Sequence, residues 1–340
     1  MDPATVDGAL RVKDLTVTFR RGSQSIEAVR GISLTIDPGK TLVLLGESGS
    51  GKSVSARSIM RLYGSSVDIS GHMSLGRLDL LSLPEKVMQD VRGRAIALVP
   101  QDASGTLDPL RRIGSQITEV LRRHGIVKSR REARERAKEL LAQVGISDPS
   151  RAVRSYPHEL SGGMRQRALI AIAIACSPRI LIADEPTTAL DVTIQAQVLD
   201  LFASLQEQLG MGILLVTHDV GVARQIADRV AVMYAGRLVE EGPGRQVLEH
   251  PGHPYSAGLL GAVPTRDTPR GGLHAIPGQP PAAGEQVAGC AFAPRCDFAV
   301  ESCLERVPDL VSIGLDHLAA CPVVNGKVPA TIASSEQGEQ

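Results

Sequence analysis

The feature that most constrains this chain is an apolar run, Thr41–Leu45 (TLVLL), that breaks into GESGSGKS at Gly46–Ser53 and continues as a helical segment from Lys52 to Leu62. Strand, glycine-rich turn and helix in that order call for an α/β sheet with the turn at the strand's carboxyl end. Gly46, Gly49 and Gly51 permit backbone shapes that side chains obstruct. The loop's successive N–H groups, those of Glu47, Ser48 and Ser50 included, are then free to wrap phosphate oxygens at the helix N-terminus. Lys52 supplies a positive charge for β and γ phosphates, and Ser53 a hydroxyl for Mg²⁺. A mere glycine-rich turn explains neither Lys52 nor its placement.

The rest of the pattern agrees with an α/β class. Leu10–Phe19 alternates apolar and polar residues, and Ile32–Ile36 runs into the turn Asp37-Pro38-Gly39; both read as strands of an antiparallel edge. Between Gln101 and Tyr156 the character changes, and Lys128–Leu141 (KSRREARERAKELL) is a charged helix former, with a solvated face as its simplest reading. The sequence then returns to an apolar helix from Gln166, a strand at Ile180–Ala183, a helix at Thr193–Leu209, a strand at Ile213–Thr217 and a strand pair near Val230–Val239. This describes an α/β core with a helical insertion.

A length of 340 residues allows one large domain and a smaller appendage. Lysine plus arginine equals aspartate plus glutamate at 37 each, which weakens any reading as a nucleic-acid binder. The opening MDPATVDGAL has no apolar core of a signal peptide, so a cytoplasmic location is expected. The longest uncharged apolar stretch, Ala168–Pro178, is far short of the roughly 20 residues that span a bilayer. Work at a membrane is therefore expected to pass through partners.

Two further segments carry chemistry. In LIADEP (Leu181–Pro186) four apolar residues bury a strand and Asp184 emerges at its carboxyl end, positioned for a metal ion. Glu185 beside it suits a general base for an attacking water, and His218, directly after ILLVT, suits a group that orients that water against the γ phosphate. An isolated acidic pair or histidine would be unremarkable; the ensemble gives them weight.

With LSGGMRQR at Leu160–Arg167, DEPTTALD and THD, the chain resembles the nucleotide-binding subunits of ATP-binding cassette (ABC) transporters from about residue 10 to 262. The resemblance implies an ABC-type P-loop ATPase core with an antiparallel β subdomain and a helical subdomain at about 102–165. It implies head-to-tail pairing, in which Ser161, Gly162 and Gly163, with Gln166, serve the nucleotide of a partner cassette. It also implies Gln101 at the metal and water, Asp191 at the dimer seam, and an aromatic against adenine. Phe19 is the candidate for that stacking role, a core position being its alternative. The segment QDASGTLDPL after Gln101 is looser than the family's usual form.

After Pro264, proline and glycine become frequent, and four of the five cysteines fall at Cys290, Cys296, Cys303 and Cys321, separated by five, six and seventeen residues. Clustered thiols in a cytosolic chain favour metal ligation over disulfides, with zinc, an iron–sulfur cluster or simple burial all open from spacing alone. HPYSAGLLGAVP, IPGQPP and GCAFAPRC resemble the C-terminal region of oligopeptide/dipeptide importer ATPases, a group that includes nickel importers. That resemblance implies a four-iron four-sulfur cluster on the four cysteines.

GKSVSARSIMRL and ALDVTIQAQVLDL look like the first of the two non-identical ATPase subunits of such importers. Two transmembrane permeases and an extracytoplasmic solute-binding protein are the further partners implied, with the chain peripheral on the cytoplasmic face of the inner membrane. The expected divisions are a cassette domain at 1–262, the importer-type region at 263–330 and a disordered tail at 331–340. The alternatives are a nickel or metal-chelate importer ATPase and a soluble, non-transport ABC ATPase.

Overall fold

The computed structural model describes residues 8–22, 24–188, 190–263, 276–282, 284–285 and 287–323; the expected tail at 331–340 lies outside them. The chain begins with β1 (Leu10–Arg21), β2 (Gln24–Ile36), β3 (Thr41–Leu45), α1 (Lys52–Ile59), β4 (Val67–Leu75) and β5 (Leu78–Asp79). It continues through α2 (Glu85–Arg94), β6 (Ile96–Val99), α3 (Ala103–Thr106), α4 (Ile113–Arg123), α5 (Arg130–Gln143), α6 (Pro149–Ala152) and α7 (Gly162–Ala173). Next come β7 (Ile180–Asp184), α8 (Val192–Leu209), β8 (Gly212–Thr217), α9 (Val220–Ile226), β9 (Arg229–Tyr234), β10 (Arg237–Pro243), α10 (Gly244–Glu249) and α11 (Pro254–Gly261). The last elements are α12 (Ser302–Glu305), β11 (Val311–Gly314) and β12 (His317–Ala319).

Two compact units divide these elements, the first built around Met73–Val216 and the second from Val12–Leu34, Leu42–His72 and the chain beyond Val216. In the first, β6, β7 and β8 run parallel with Val99 opposite Ala183 and Ala183 opposite Leu215. Every residue of β7 and β8 is buried, as expected of parallel strands covered on both faces. The helices α3 to α6 lie between β6 and α7 in sequence, within the stretch read as a helical insertion, and α7 is the apolar helix that follows it. Their packing is amphipathic: α4 turns Ile113, Ile117 and Leu121 inward, and α5 turns Ala133, Ala137, Leu140 and Leu141 inward. The charged run anticipated from Lys128 starts its helix after Ser129, whose hydroxyl accepts the Glu132 N–H at 3.1 Å while the Glu132 carboxylate accepts Lys128 N–H at 2.8 Å. That reciprocal cap leaves Lys128 outside the helix.

In the second unit β3 and β9 are parallel, with Leu42–Leu45 opposite Arg229–Val232, and β10 is antiparallel to β9. Val230, Ala231, Val232 and Met233 are fully buried. Beyond β10 the C-terminal region adds two more strands: Glu240 faces Ala319 and Glu241 faces Leu318, and β11 closes the edge against β12. The expected boundary near residue 262 therefore falls inside a unit. A buried polar cluster secures this join. Glu240, with no exposed surface, accepts from Gly252 N at 2.7 Å and His253 N at 3.0 Å and meets His317 Nε2 at 2.7 Å.

Other expected spans differ as well, among them the apolar helix expected from Gln166, which starts at Gly162. The first helix stops at Ile59 rather than Leu62, because Arg61 adopts a left-handed conformation (φ 51°) and Leu62 N bonds back to Arg57 O at 3.2 Å. The second strand starts at Gln24 rather than Ile32; apolar alternation changes phase between the buried Val29 and Ile32, so a strict two-residue period ends there.

Candidate nucleotide site and thiol cavity

Strand β3 delivers the chain to Gly46 in a loop whose close packing excludes side chains. A Cβ on Gly46 would lie 2.2 Å from Met233 O, and one on Gly51 (φ 104°) would lie 2.6 Å from Ala28 O. The Lys52 ammonium, 4 % exposed, turns back over the loop and donates to Gly46 O and Glu47 O, each at 2.7 Å, and to Ser50 Oγ at 3.4 Å. The cation thereby holds the loop around itself. Gly51→Ala combines a clash with a disfavoured φ, each costing about 1–3 kcal/mol. We expect calorimetry of this variant to show a clearly lowered melting temperature.

In the first unit the geometry follows from strand register. Because Val99 on β6 faces Ala183 on β7, the residues two positions further on, Gln101 and Glu185, meet beyond the strand ends. Gln101 Nε2 donates to Glu185 Oε2 at 3.0 Å, and Thr188 Oγ1 donates to the same oxygen at 3.0 Å. Glu185 itself has φ 48°, a left-handed backbone held by its N–H to Val216 O at 2.9 Å. Such a conformation is costly for a residue with a Cβ and persists where surroundings enforce it. Asp184, the last residue of β7, has no exposed surface.

Ser161 caps α7, its hydroxyl accepting Met164 N–H at 3.3 Å. Ser161 and Gly162 are exposed, and Gly163 packs so that an added Cβ would meet Ile194 Cγ2 at 3.1 Å. Gln166 is instead buried, at 3 % exposure. Asp191 caps α8 through Ile194 N–H at 2.9 Å and is exposed beside Val192. His218 follows β8 as an exposed residue, next to Asp219, which caps α9. Phe19 is half-buried at the end of β1, edge-on to Tyr63 with centroids 5.2 Å apart. The adjacent Tyr63 went unnoticed in the sequence, where nothing in its surroundings marks it.

The four C-terminal cysteines converge, as their clustering in the sequence suggested. Cys290, Cys296, Cys303 and Cys321 line one small apolar cavity with Phe292, Phe298 and His253. No disulfide joins the cysteines. Burial raises the Cys290 thiol and pushes Cys296 up to about 11, so both are protonated at neutral pH in this arrangement. Among the described residues, no group of three or more His, Cys, Asp or Glu is drawn together as a metal-binding set. The expected four-cysteine centre is thus present as a shared cavity of thiols and not as a formed ligand set. Cys176 is buried, its thiol also pushed up to about 11 by desolvation, as a core residue should be. His253, driven down to about 3 by complete burial, is a neutral acceptor for Tyr255 N–H at 3.0 Å.

No described helix is long and apolar enough to cross a membrane. Among solved structures the chain is similar to the dimeric bacterial ABC transporter cassette MJ0796, at 30 % identity and a TM-score of 0.62 over 69 % of this chain and 99 % of that one. It is also similar to the Clostridium perfringens protein cbiO1, part of an ABC transporter complex, at 26 % identity, a TM-score of 0.60 and coverage of 71 % and 90 %. The fold, with its glycine-rich loop after β3, its Asp184-Glu185 strand end and its serine-capped helix α7, is that of an ABC cassette ATPase.

A family model described as ABC transporter matches residues 29–188, and one described as the oligopeptide/dipeptide transporter C-terminal region matches residues 239–303. A Brucella melitensis protein named as a peptide import ATP-binding protein is 50 % identical over 325 residues, 92 % of this chain and 96 % of that protein. The Mycobacterium tuberculosis oligopeptide transport ATP-binding protein OppD is 46 % identical over 95 % of this chain, which spans 53 % of its length. The chain belongs to the ABC transporter family, as an ATP-binding subunit of the kind that carries the oligopeptide/dipeptide C-terminal region.

Proposed function

We propose that this protein hydrolyses ATP to power the import of peptides, or of a closely related small solute, across a bacterial cytoplasmic membrane. The observation that carries the reading is the Glu185 carboxylate fixed at the end of β7 by Gln101 and Thr188. In that place it is fit to take a proton from the attacking water. The loop from Gly46 to Ser53, with Glu47, Ser48, Gly49, Ser50 and Gly51 between, is fit to wrap the phosphates. Lys52, already turned toward the loop's interior, needs only to exchange carbonyl partners for phosphate oxygens. Ser53, Gln101 and Asp184 are hard oxygen donors that suit Mg²⁺, which when bound neutralises charge on the β and γ phosphates. His218 orients the water, and Phe19 stacks on the base.

Ser161 and Gly162, exposed at a helix N-terminus, and Gly163 beside them suit the γ phosphate on a second cassette, with Gln166 behind them and Asp191 at the seam. The reading makes that cassette a homologous ATPase subunit in a heterodimer. Closure on ATP then shifts the population of two membrane permeases that receive solute from an extracytoplasmic binding protein. The chain itself sits on the cytoplasmic face, and nucleic acid has no part. The peptide cargo is supported by the names of relatives that match almost end to end.

Hydrolysis by the assembled transporter in proteoliposomes should rise when its binding protein is loaded with peptide. Stimulation by a nickel chelate and not by peptide would move the cargo to metal, and full activity without permeases would favour a soluble ATPase.

The four cysteines, soft sulfur donors around a common cavity, fit an iron–sulfur cluster in donor chemistry, although the thiols must lose protons and close in to bind it. Such a cluster would pin the C-terminal segments together. Cys296→Ser is expected to lower bound iron after anaerobic purification and to destabilise the C-terminal region; iron content equal to the wild type would contradict the assignment.

A further inference from the structure

The C-terminal region reaches the phosphate loop through the side chains of Arg295 and Tyr255. Arg295 lies on the 3₁₀ turn Ala293–Arg295, between Cys290 and Cys296. Its Nη1 donates to Glu47 Oε2 at 2.8 Å and its Nη2 to Glu47 Oε1 at 3.1 Å, a two-pronged pair with the second residue of GESGSGKS. The remaining geometry leaves the guanidinium little freedom. Nε donates to Pro277 O at 2.8 Å, Nη1 also donates to Tyr234 Oη at 3.2 Å, and the group sits 5.8 and 5.9 Å from the Tyr234 and Phe292 ring centres. Arg295 is only 8 % exposed. A planar fork held in this way dictates where its carboxylate partner stands.

Glu47 is gripped at its other polar groups as well. Tyr255 Oη accepts the Glu47 N–H at 2.8 Å, and Lys52 Nζ donates to the Glu47 carbonyl at 2.7 Å. Tyr255, Tyr234 and Phe292 form one aromatic cluster, with centroids 4.5 to 5.5 Å apart, beneath these contacts. Three separate side chains therefore fix the carboxylate, the N–H and the carbonyl of one loop residue, and two of the three come from the region after β10. A glycine-rich loop is intrinsically mobile, and binding to it costs the entropy of ordering it. A loop already ordered binds with less of that cost.

We propose that Arg295 is a positioning residue for the nucleotide site: it holds Glu47 so that the phosphate loop is preorganised, making ATP affinity depend on the C-terminal region. The inference rests on the nucleotide reading of the loop and goes beyond it, because it assigns that region a part in binding ATP. The thiol cavity is placed to influence the same lever, since Phe292, Cys290 and Cys296 line it and the Cys290 carbonyl accepts Ala293 N–H at 3.0 Å within the turn that carries Arg295. A purely structural latch is the competing account, since a buried ion pair broken on one side destabilises whatever its purpose.

The test uses the full chain with Arg295→Ala, Arg295→Lys, Glu47→Gln and the Arg295→Ala/Glu47→Gln double variant. A fluorescent ATP analogue gives Kd, steady-state hydrolysis gives KM and kcat, and calorimetry gives Tm. The expected result is a rise of about tenfold in Kd and KM for Arg295→Ala with kcat within about twofold, partial recovery in Arg295→Lys, and a double variant no weaker than the worse single. Lowered Tm with unchanged ATP affinity would overturn the proposal in favour of a latch, as would additive effects in the double variant. Should Arg295→Ala not fold, Glu47→Gln and Arg295→Lys, which keep the shape of the contact, decide by the same KM and kcat criterion. A wild-type chain that failed to bind the analogue would refute the nucleotide reading itself, a result distinct from either.

Discussion

Glu185→Gln is expected to bind ATP as the wild type does while hydrolysing it on the order of 10²- to 10⁴-fold more slowly, the range a positioned general base contributes. The substitution is close to isosteric. The amide oxygen is able to accept from Gln101 Nε2 and Thr188 Oγ1 as the carboxylate does at 3.0 Å, and the left-handed backbone at this position is unaltered. What disappears is the capacity to take a proton. Phosphate release should therefore collapse with no matching change in Kd, and ATP should trap the paired cassettes closed, visible as a dimer on size exclusion. If the variant keeps sustained turnover, Glu185 is not the base, and its contacts with Gln101 and Thr188 serve only to shape the turn.

Lys52→Ala should have its effect at the earlier step. The ammonium is nearly buried and donates to two loop carbonyls, so its removal leaves Gly46 O and Glu47 O without their charged partner and, on the proposed reading, removes a cation from the phosphate site. Hydrogen bonds to charged groups contribute about 1.5–3 kcal/mol each, which corresponds to roughly a ten- to hundredfold rise in Kd from a single lost contact. ATP stabilises the wild-type fold by mass action, so the same loss is readable as a thermal shift: ATP should raise the melting temperature of the wild type and not of the variant. An undiminished shift would remove Lys52 from the phosphate site. Comparison with Glu185→Gln separates binding from chemistry, since one variant is expected to lose the first and the other the second.

The parts of the molecule that carry this chemistry were largely legible in the sequence because they are local. The run TLVLL forms β3 at the expected residues, and the phosphate loop and α1 follow within a few positions. ILIAD and GILLVT are continuous apolar runs because parallel strands are buried on both faces, and Asp184 and Glu185 are conspicuous because they end such a run. Gln101 and Glu185 meet only because β6 and β7 are adjacent in register, a contact that neither periodicity nor motif order stated.

The C-terminal region was legible as a family resemblance and as a set of cysteines, and much less so in its physics. Its strand β12 pairs with β10 on only a few residues, too short a run to show alternation. The grip of Arg295 on Glu47 spans 248 positions, and neither residue sits in a pattern that names the other. Long-range polar pairs of this kind leave no trace in local propensity. The capping by Ser129 and the left-handed Arg61 moved helix ends for reasons that a charge or hydrophobic period does not encode.

On the proposed function, ATP turnover at Glu185 drives the inward movement of peptides. Uptake of labelled di- and oligopeptides by cells that carry the chain at its native locus, compared with the same cells carrying Glu185→Gln, tests it most directly. Uptake is expected to fall to the level of a strain lacking the gene while the variant subunit remains at normal abundance. Uptake at the wild-type rate, with the variant shown to be inactive in ATP hydrolysis, would contradict it.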